Sequence, residues 1–303
     1  MTSTARPPHP PCPRRPRRRW LALGMRVARL AMGAPPRATG DLVTASYDRV
    51  APGYDAAWTD HMRGLTLEML DRLGPCAGDV AIDLACGTGF LAEQLARRTG
   101  RRAVGVDASA GMLDEARRHR GDWAEFVCAD AVAYLESRPR ASADLVTCGW
   151  GLGYTQPWRV VREAARVLRP GGRLGIIDNS LFSLAGVLGC SLLAFAERPE
   201  ALAHLMKVRF LPASWALAAM LRAAHLAVRA AWGGSKTYVV ATGDEAIARL
   251  TATGAAAGFE FAADPSARDA VFARFAEILA ARCRTPQGIA ITHRYLAAVG
   301  VKP

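Results

Sequence analysis

Residues 82–92 read Ile82-Asp83-Leu84-Ala85-Cys86-Gly87-Thr88-Gly89-Phe90-Leu91-Ala92. An apolar strand runs into a tight glycine turn and then into a helix. Glycine tolerates the positive φ of such a turn and lets a ligand approach the backbone; the free N–H groups of the helix that follows attract an anion. Gly87-x-Gly89-x-x-Ala92 also fits a dinucleotide fingerprint, so the loop alone leaves the ligand open. Outward from this turn the chain alternates. Helices are expected at 41–57 and 60–73, then strands at 79–84, 102–107, 124–128, 143–148 and 172–178, with helices at 89–99, 109–119, 131–137 and 157–168 between them. Strands and helices alternating at this spacing build right-handed βαβ units. The expected fold is α/β: a Rossmann-like, mostly parallel, seven-stranded sheet with helices on both faces. After Asp178 the alternation stops. Residues 180–232 read as helices, followed by a helix at 243–257, a strand at 258–262, a helix at 267–283 and a strand at 288–296.

Three carboxylates then narrow the ligand. Asp83 lies on the first strand, four residues before Gly87. A carboxylate there binds the ammonium of a methionine moiety and repels a pyrophosphate. Asp107 ends the second strand, 20 residues after Gly87, where it can take both ribose hydroxyls. Asp130 follows the third strand and can accept from an adenine amino group; a lone Asp there is equally a helix N-cap. Together they favour S-adenosylmethionine over NAD.

The formal charge of +12 suggests nucleic acid at first sight. Its distribution argues otherwise. Nine of the 39 basic side chains fall within residues 1–40, which hold no acid, and the remainder nearly balance the 27 acids. The body has no basic face and no Asn-Pro-Pro-Tyr motif for a flipped base, so a nucleic-acid partner is not expected. The seven cysteines include no C-x-x-C pair and suggest free thiols in a reducing compartment, with no metal site. Residues 1–40 are expected to form a disordered basic arm, with initiation at Met25 or Met32 as an alternative. The sharper reading makes Trp20–Gly33 a basic amphipathic anchor for an anionic membrane. Arg26 and Arg29 interrupt that apolar stretch and argue against a secretory signal. A cytoplasmic protein is expected, with peripheral membrane contact as the alternative that the anchor reading would bring.

The chain resembles the class I S-adenosylmethionine-dependent methyltransferases, and within them the ubiquinone/menaquinone-biosynthesis C-methyltransferase family. The resemblance runs over roughly residues 44–300. It rests on Tyr47-Asp48-Arg49-Val50-Ala51-Pro52-Gly53-Tyr54-Asp55, on Asp83 through Gly89, on Gly151-Leu152, on Val167-Leu168-Arg169-Pro170-Gly171-Gly172, and on Gly288-Ile289-Ala290-Ile291-Thr292-His293-Arg294. It implies cofactor contacts from Tyr47, Tyr54, Asp83, Ala85, Gly87, Gly89, Asp107, Ala108, Met112, Asp130, Ala131 and Gly149. The segment after the fifth strand is longer than in the quinone enzymes and shares none of their usual residues.

The expected reaction is methyl transfer to a small, lipophilic acceptor, a quinol or phenol methylated at carbon or oxygen. Alternatives are N-methylation of a lipid headgroup or natural product, an NAD-linked oxidoreductase, and a non-catalytic adaptor that keeps the cofactor fold. Candidates for a base are His61, Tyr154, His204, His225 and His293, between which the sequence does not choose. The methyltransferase domain is expected over 41–303, with a helical substrate cap at about 180–235 that includes an uncharged run at 180–196 and an amphipathic helix at 211–232.

Overall fold

The computed structural model describes residues 16–33, 39–254, 257 and 259–303, so residues 1–15 and 34–38 of the arm expected at 1–40 lie outside the described residues. Two helices, α1 (Pro16–Met32) and α2 (Thr39–Val50), lead in. A short helical turn at Ala51–Gly53 and a π-helical turn at Asp55–Thr59 join α2 to α3 (Asp60–Leu73). Then come β1 (Ala81–Leu84), α4 (Phe90–Thr99), β2 (Ala103–Asp107), α5 (Ala110–Arg120), β3 (Ala124–Cys128) and α6 (Ala131–Glu136). The sheet continues through β4 (Ala143–Gly149), α7 (Pro157–Val167) and β5 (Leu168–Asn179). The remainder is α8 (Ala185–Glu197), α9 (Ser214–Ala223), β6 (Ala227–Val240), α10 (Gly243–Ala252), α11 (Arg268–Arg282), β7 (Arg284–Thr285) and β8 (Gly288–Val301).

The seven long strands follow the order β3-β2-β1-β4-β5-β8-β6, and the two-residue β7 pairs with β8. Strands β1 to β5 are parallel, and β8 runs antiparallel to both its neighbours. Apolar residues bury both faces of this sheet. Met69, Leu70 and Leu73 of α3 and Leu95 of α4 pack on one face. Leu135 of α6, Val160 and Val161 of α7, and Leu217 and Leu221 of α9 pack on the other.

Three expectations need correction after β5. Residues 227–240 are a strand, not the end of a helix. Alanine and arginine favour helix, but β6 pairs with β8 along its whole length, and tertiary pairing overrides propensity. The helix expected at 211–232 shrinks to α9, which packs against α7 and the sheet and contributes no cap. The strand expected near 258–262 is a helical turn at Phe259–Phe261.

The cap that does form has its own core. It joins Val187, Cys190 and Phe195 of α8, Ala246 and Leu250 of α10, and Ile278 and Leu279 of α11. Tyr238 and Val240 of β6 and Ile289 and Ile291 of β8 enter the same cluster. Register explains why. The last residue of β5, Asn179, pairs with Tyr295, so the antiparallel β6–β8 pair runs on past the carboxyl edge of the sheet into the cap. Helix α1 belongs here too: its Leu23 is buried in the cap core, and Arg26 Nε donates to the Leu202 carbonyl at 2.7 Å. The expected disordered arm is therefore a packed helix over residues 16–32. The uncharged run at 180–196 forms the 13-residue α8, and no helix among the described residues is long and apolar enough to cross a membrane.

Candidate active site

The turn between β1 and α4 opens a cleft at the carboxyl edge of the sheet. Gly87 has φ +53 and Gly89 φ +86, and a Cβ on Gly89 would sit 2.7 Å from the Phe126 ring. The Gly87 N–H, thereby turned outward from β1, donates to Asp107 Oδ2 at 2.8 Å. Asp107 Oδ1 accepts from the Ser109 N–H at 2.8 Å. Ser109 also caps α5, accepting from the Met112 N–H at 3.1 Å, and its hydroxyl donates to Asp48 Oδ1 at 2.6 Å. Asp48 accepts in addition from the Gly111 N–H at 2.9 Å, which ties α2 across the mouth of the cleft. A second tether holds the loop from the other side. Thr88 Oγ1 donates to Asp55 Oδ1 at 2.5 Å, and Arg120 bridges Asp55 Oδ2 at 2.7 Å and Glu93 Oε2 at 2.9 Å.

The cleft, of about 160 Å³, is lined by Tyr47, Tyr54, Ala85, Gly87, Asp107, Ala108, Met112, Asp130, Ala131 and Gly149, all expected from the sequence. Gly89 lies behind the lining, where its N–H closes the turn on the Cys86 carbonyl at 2.9 Å. Asp83 sits at the floor of an adjoining cavity that shares Tyr54, Ala85, Gly87, Gly149 and Trp150 with the cleft. It is 1 % exposed. Thr147 Oγ1 donates to its Oδ1 at 2.7 Å, while Oδ2 has no hydrogen-bond partner among the described residues. Burial raises its pKa to about 7; the Thr147 hydrogen bond opposes that rise and the charge of Asp107 adds to it. Burial likewise raises Asp107, against the N–H donors of Ser109, Gly87 and Ala108. An unpaired carboxylate oxygen in so dry a position is costly alone and fits a ligand cation.

Asp130 lines the cleft, and its Oδ1 caps α6 through the N–H groups of Val132 and Ala133, each at 2.9 Å. Tyr47 packs edge-on against Tyr54 and Tyr154, each at a ring separation of 5.9 Å. Two cleft residues carry backbone strain, Ala85 at φ +50 and Trp150 at φ +64. Such conformations cost on the order of 1–3 kcal/mol each and persist where the surroundings impose them. Here the Trp150 N–H is held on the Ile177 carbonyl at 2.7 Å and its indole Nε1 on Thr66 Oγ1 at 2.9 Å.

The family comparison agrees with this geometry. Residues 81–172 match the family described as a methyltransferase domain. Over those residues the chain carries a methyltransferase domain. It is 35 % identical over 147 residues to the demethylmenaquinone methyltransferase of Renibacterium salmoninarum, covering 46 % of this chain and 60 % of that protein. It is 36 % identical over 147 residues to the 2-phytyl-1,4-naphtoquinone methyltransferase of Thermosynechococcus vestitus, covering 46 % and 64 %. The chain thus spans less than two thirds of the length of these curated relatives. The solved structure of the cyclase SpnF shares the fold, with a TM-score of 0.55 and 20 % identity over 90 % of this chain and 99 % of that one.

The structure separates the five base candidates. Tyr154 lines the cleft. His61 and His293 lie together beside it, their rings 6.5 Å apart. His204 is buried in the cap segment, where its N–H reaches the Ala262 carbonyl at 3.3 Å. His225 is exposed in the turn between α9 and β6. Since the start of β6 pairs with Val301, itself opposite Arg173 at the start of β5, His225 stands at the amino edge, away from the cleft, and is excluded as a base. Sequence reading missed Asp48, Asp55, Ser109 and Arg120. Ser109 carried a signal, a Ser two residues beyond a strand end and opening a helix. The acids and Arg120 carried none, because their partners are 27 to 65 positions away.

Proposed function

We propose that the chain transfers the methyl group of S-adenosylmethionine to a small, lipophilic acceptor, a quinol or phenol methylated at carbon or oxygen. The observation that carries the reading is Asp83 Oδ2, a buried carboxylate oxygen without a partner among the described residues, in a cavity that adjoins the cleft lined by Gly87 and Asp107. Asp83 would hold the ammonium of the cofactor, Asp107 the ribose hydroxyls and Asp130 the adenine amino group, with Tyr47 and Tyr54 as walls. The bound sulfonium supplies an activated methyl, so the protein's task is to align the acceptor and exclude water. Burial pushes the Tyr154 hydroxyl far above neutrality, which suits it as a neutral donor that orients the acceptor and not as a base. The quinone relatives and the apolar cap support the acceptor class. Calorimetry tests the cofactor: S-adenosylhomocysteine should bind and NAD should not, and the reverse result would overturn the reading. Labelled cofactor with lipid extracts then identifies the product.

The same reading extends to a membrane surface. Trp20, Leu21, Met25 and Met32 of α1 are exposed, and Arg18 and Arg29 are exposed beside them. An apolar face flanked by guanidinium groups suits an anionic bilayer. The protein should co-sediment with phosphatidylglycerol vesicles and not with neutral ones, and Trp20→Ala with Met25→Ala should weaken this. Equal behaviour with both vesicles would remove the membrane from the reading.

A further inference from the structure

Beside the cofactor cleft, five elements bring unsatisfied polar groups into one cluster. The indole Nε1 of Trp58, Nε2 of His61, the hydroxyl of Tyr238, Nε of Arg249 and both ring nitrogens of His293 are buried without a hydrogen-bond partner among the described residues. Native interiors leave few such groups, and a concentration of them in one place points to a ligand that completes them. Their rings are in contact. Tyr238 stacks on His293 at 5.8 Å, His61 meets Tyr238 edge-on at 5.4 Å, and the Arg249 guanidinium lies 4.3 Å from the Tyr238 ring centre. Trp58 links the cluster to the cleft: it is 5.2 Å from the His293 ring on one side and 5.5 Å from Trp150, a cleft residue, on the other. The cluster also stands at the carboxyl edge, because His293 lies two residues beyond Tyr295, the partner of the last residue of β5.

Its chemistry is one-sided. The charged groups that bear on the two imidazoles are Arg249 and Lys236, and the Lys236 ammonium donates to the His61 carbonyl. Burial, His61 and Arg249 together push the His293 pKa down to about 4, so this imidazole is neutral and its ring N–H is a donor. Aromatic faces, neutral donors and a guanidinium suit an aromatic ring that bears a negatively charged oxygen.

We propose that Trp58, His61, Tyr238, Arg249 and His293 form the acceptor's polar-group site and bind a phenolic or enolic oxygen as its anion. This rests on the methyltransferase reading above and names the acceptor's ionisation state and the residues that hold it. Charge on that oxygen raises the nucleophilicity of the oxygen and of the adjacent ring carbons, which is what methyl transfer from a sulfonium needs of its acceptor.

The test uses the full chain saturated with S-adenosylhomocysteine, and para-nitrophenol as the probe, at a pH just below the probe's own pKa. Visible absorption reports its phenolate directly. The phenolate signal should rise and saturate with added protein. Arg249→Met and His293→Phe should weaken that binding at least about tenfold, as expected for hydrogen bonds to a charged group, while Arg249→Lys keeps it within about threefold. Trp20→Ala, on α1, should leave it unchanged. Circular dichroism checks that each variant folds, and Arg249→Met, being half-exposed, serves if His293→Phe does not. Homocysteine-cofactor binding without any phenolate signal, or a signal unaffected by Arg249→Met, would overturn the inference and leave the methyltransferase reading standing. Displacement by benzoate at equal concentration would show a general anion site and overturn the phenolic assignment. Failure of S-adenosylhomocysteine itself to bind would overturn both.

Discussion

The cofactor cleft and the cap meet at the same edge of the sheet but are held together in different ways. The cleft is a lattice of short polar contacts: Asp107 and Asp48 accept from backbone N–H groups and a hydroxyl, and Arg120 and Asp55 clamp Thr88. The cap is an apolar cluster drawn from α1, α8, α10, α11, the end of β6 and the start of β8. Its polar groups next to the cleft are the ones left without partners. A rigid polar frame suits a ligand of constant shape. A greasy lid with a small unsatisfied polar patch suits an acceptor that brings its own polar group. On the proposed reading, the residues that hold the cofactor are local to strand ends, and those that select the acceptor are assembled from distant segments.

If the two regions are independent, damage to one should not spread. Leu279→Ala in the cap core removes a fully buried side chain and should destabilise the protein by about 2–5 kcal/mol in urea unfolding. Cofactor affinity should stay within about 0.5 kcal/mol, as for distant sites. Weakened cofactor binding in that variant would dissolve the distinction.

Asp83→Asn sharpens it from the other side. Cofactor affinity should fall by about 1.5–3 kcal/mol, the range for a hydrogen bond to a charged group, with native circular dichroism. The same variant tests the burial of the carboxyl. The folded pKa of Asp83 is raised to about 7 from 3.8, so the folded state holds the proton more tightly than the unfolded one. Its contribution to stability is therefore fully present below the unfolded value and lost as pH rises through the folded one. Without cofactor, Asp83→Asn and wild type should melt alike near pH 4, and the variant should gain relative to wild type toward pH 8. A melting difference that does not change with pH would refute the raised pKa. Asp178, also raised to about 7 by burial and held by the Gly153 and Asn179 N–H groups at 2.7 and 2.8 Å, should behave in the same direction.

The smallest effect belongs to Asp130→Ala. Loss of the α6 cap should cost about 1 kcal/mol of stability. If Asp130 also meets adenine, cofactor affinity should fall in addition, but less than in Asp83→Asn; unchanged affinity would reduce Asp130 to a cap.

The sequence by itself determined the parallel half of the sheet and the outline of the cleft. Between Ala81 and Asn179 each strand, turn and helix follows within a few residues of the last, so periodicity, glycine turns and strand-end acids report directly on structure. That is why ten of the twelve expected cofactor residues line one cleft, with Asp83 in the cavity adjoining it. Only the tertiary structure decided the rest. The first half of strand β6 reads as helix because its alanines and Arg229 favour one, and it becomes an edge strand through pairing with β8, whose His293 faces Lys236, 57 positions away in the chain. Helix α1 reads as a charged arm until Leu23 finds a core contributed by residues some 160 to 270 positions away. The cluster of His61, Tyr238, Arg249 and His293 has no sequence signature, because its four members come from α3, β6, α10 and β8 and meet only when the paired β6 and β8 overrun the edge of the sheet. Local patterns encode what the chain does over ten residues; burial and strand pairing, which act between residues far apart in the chain, decide where those pieces meet.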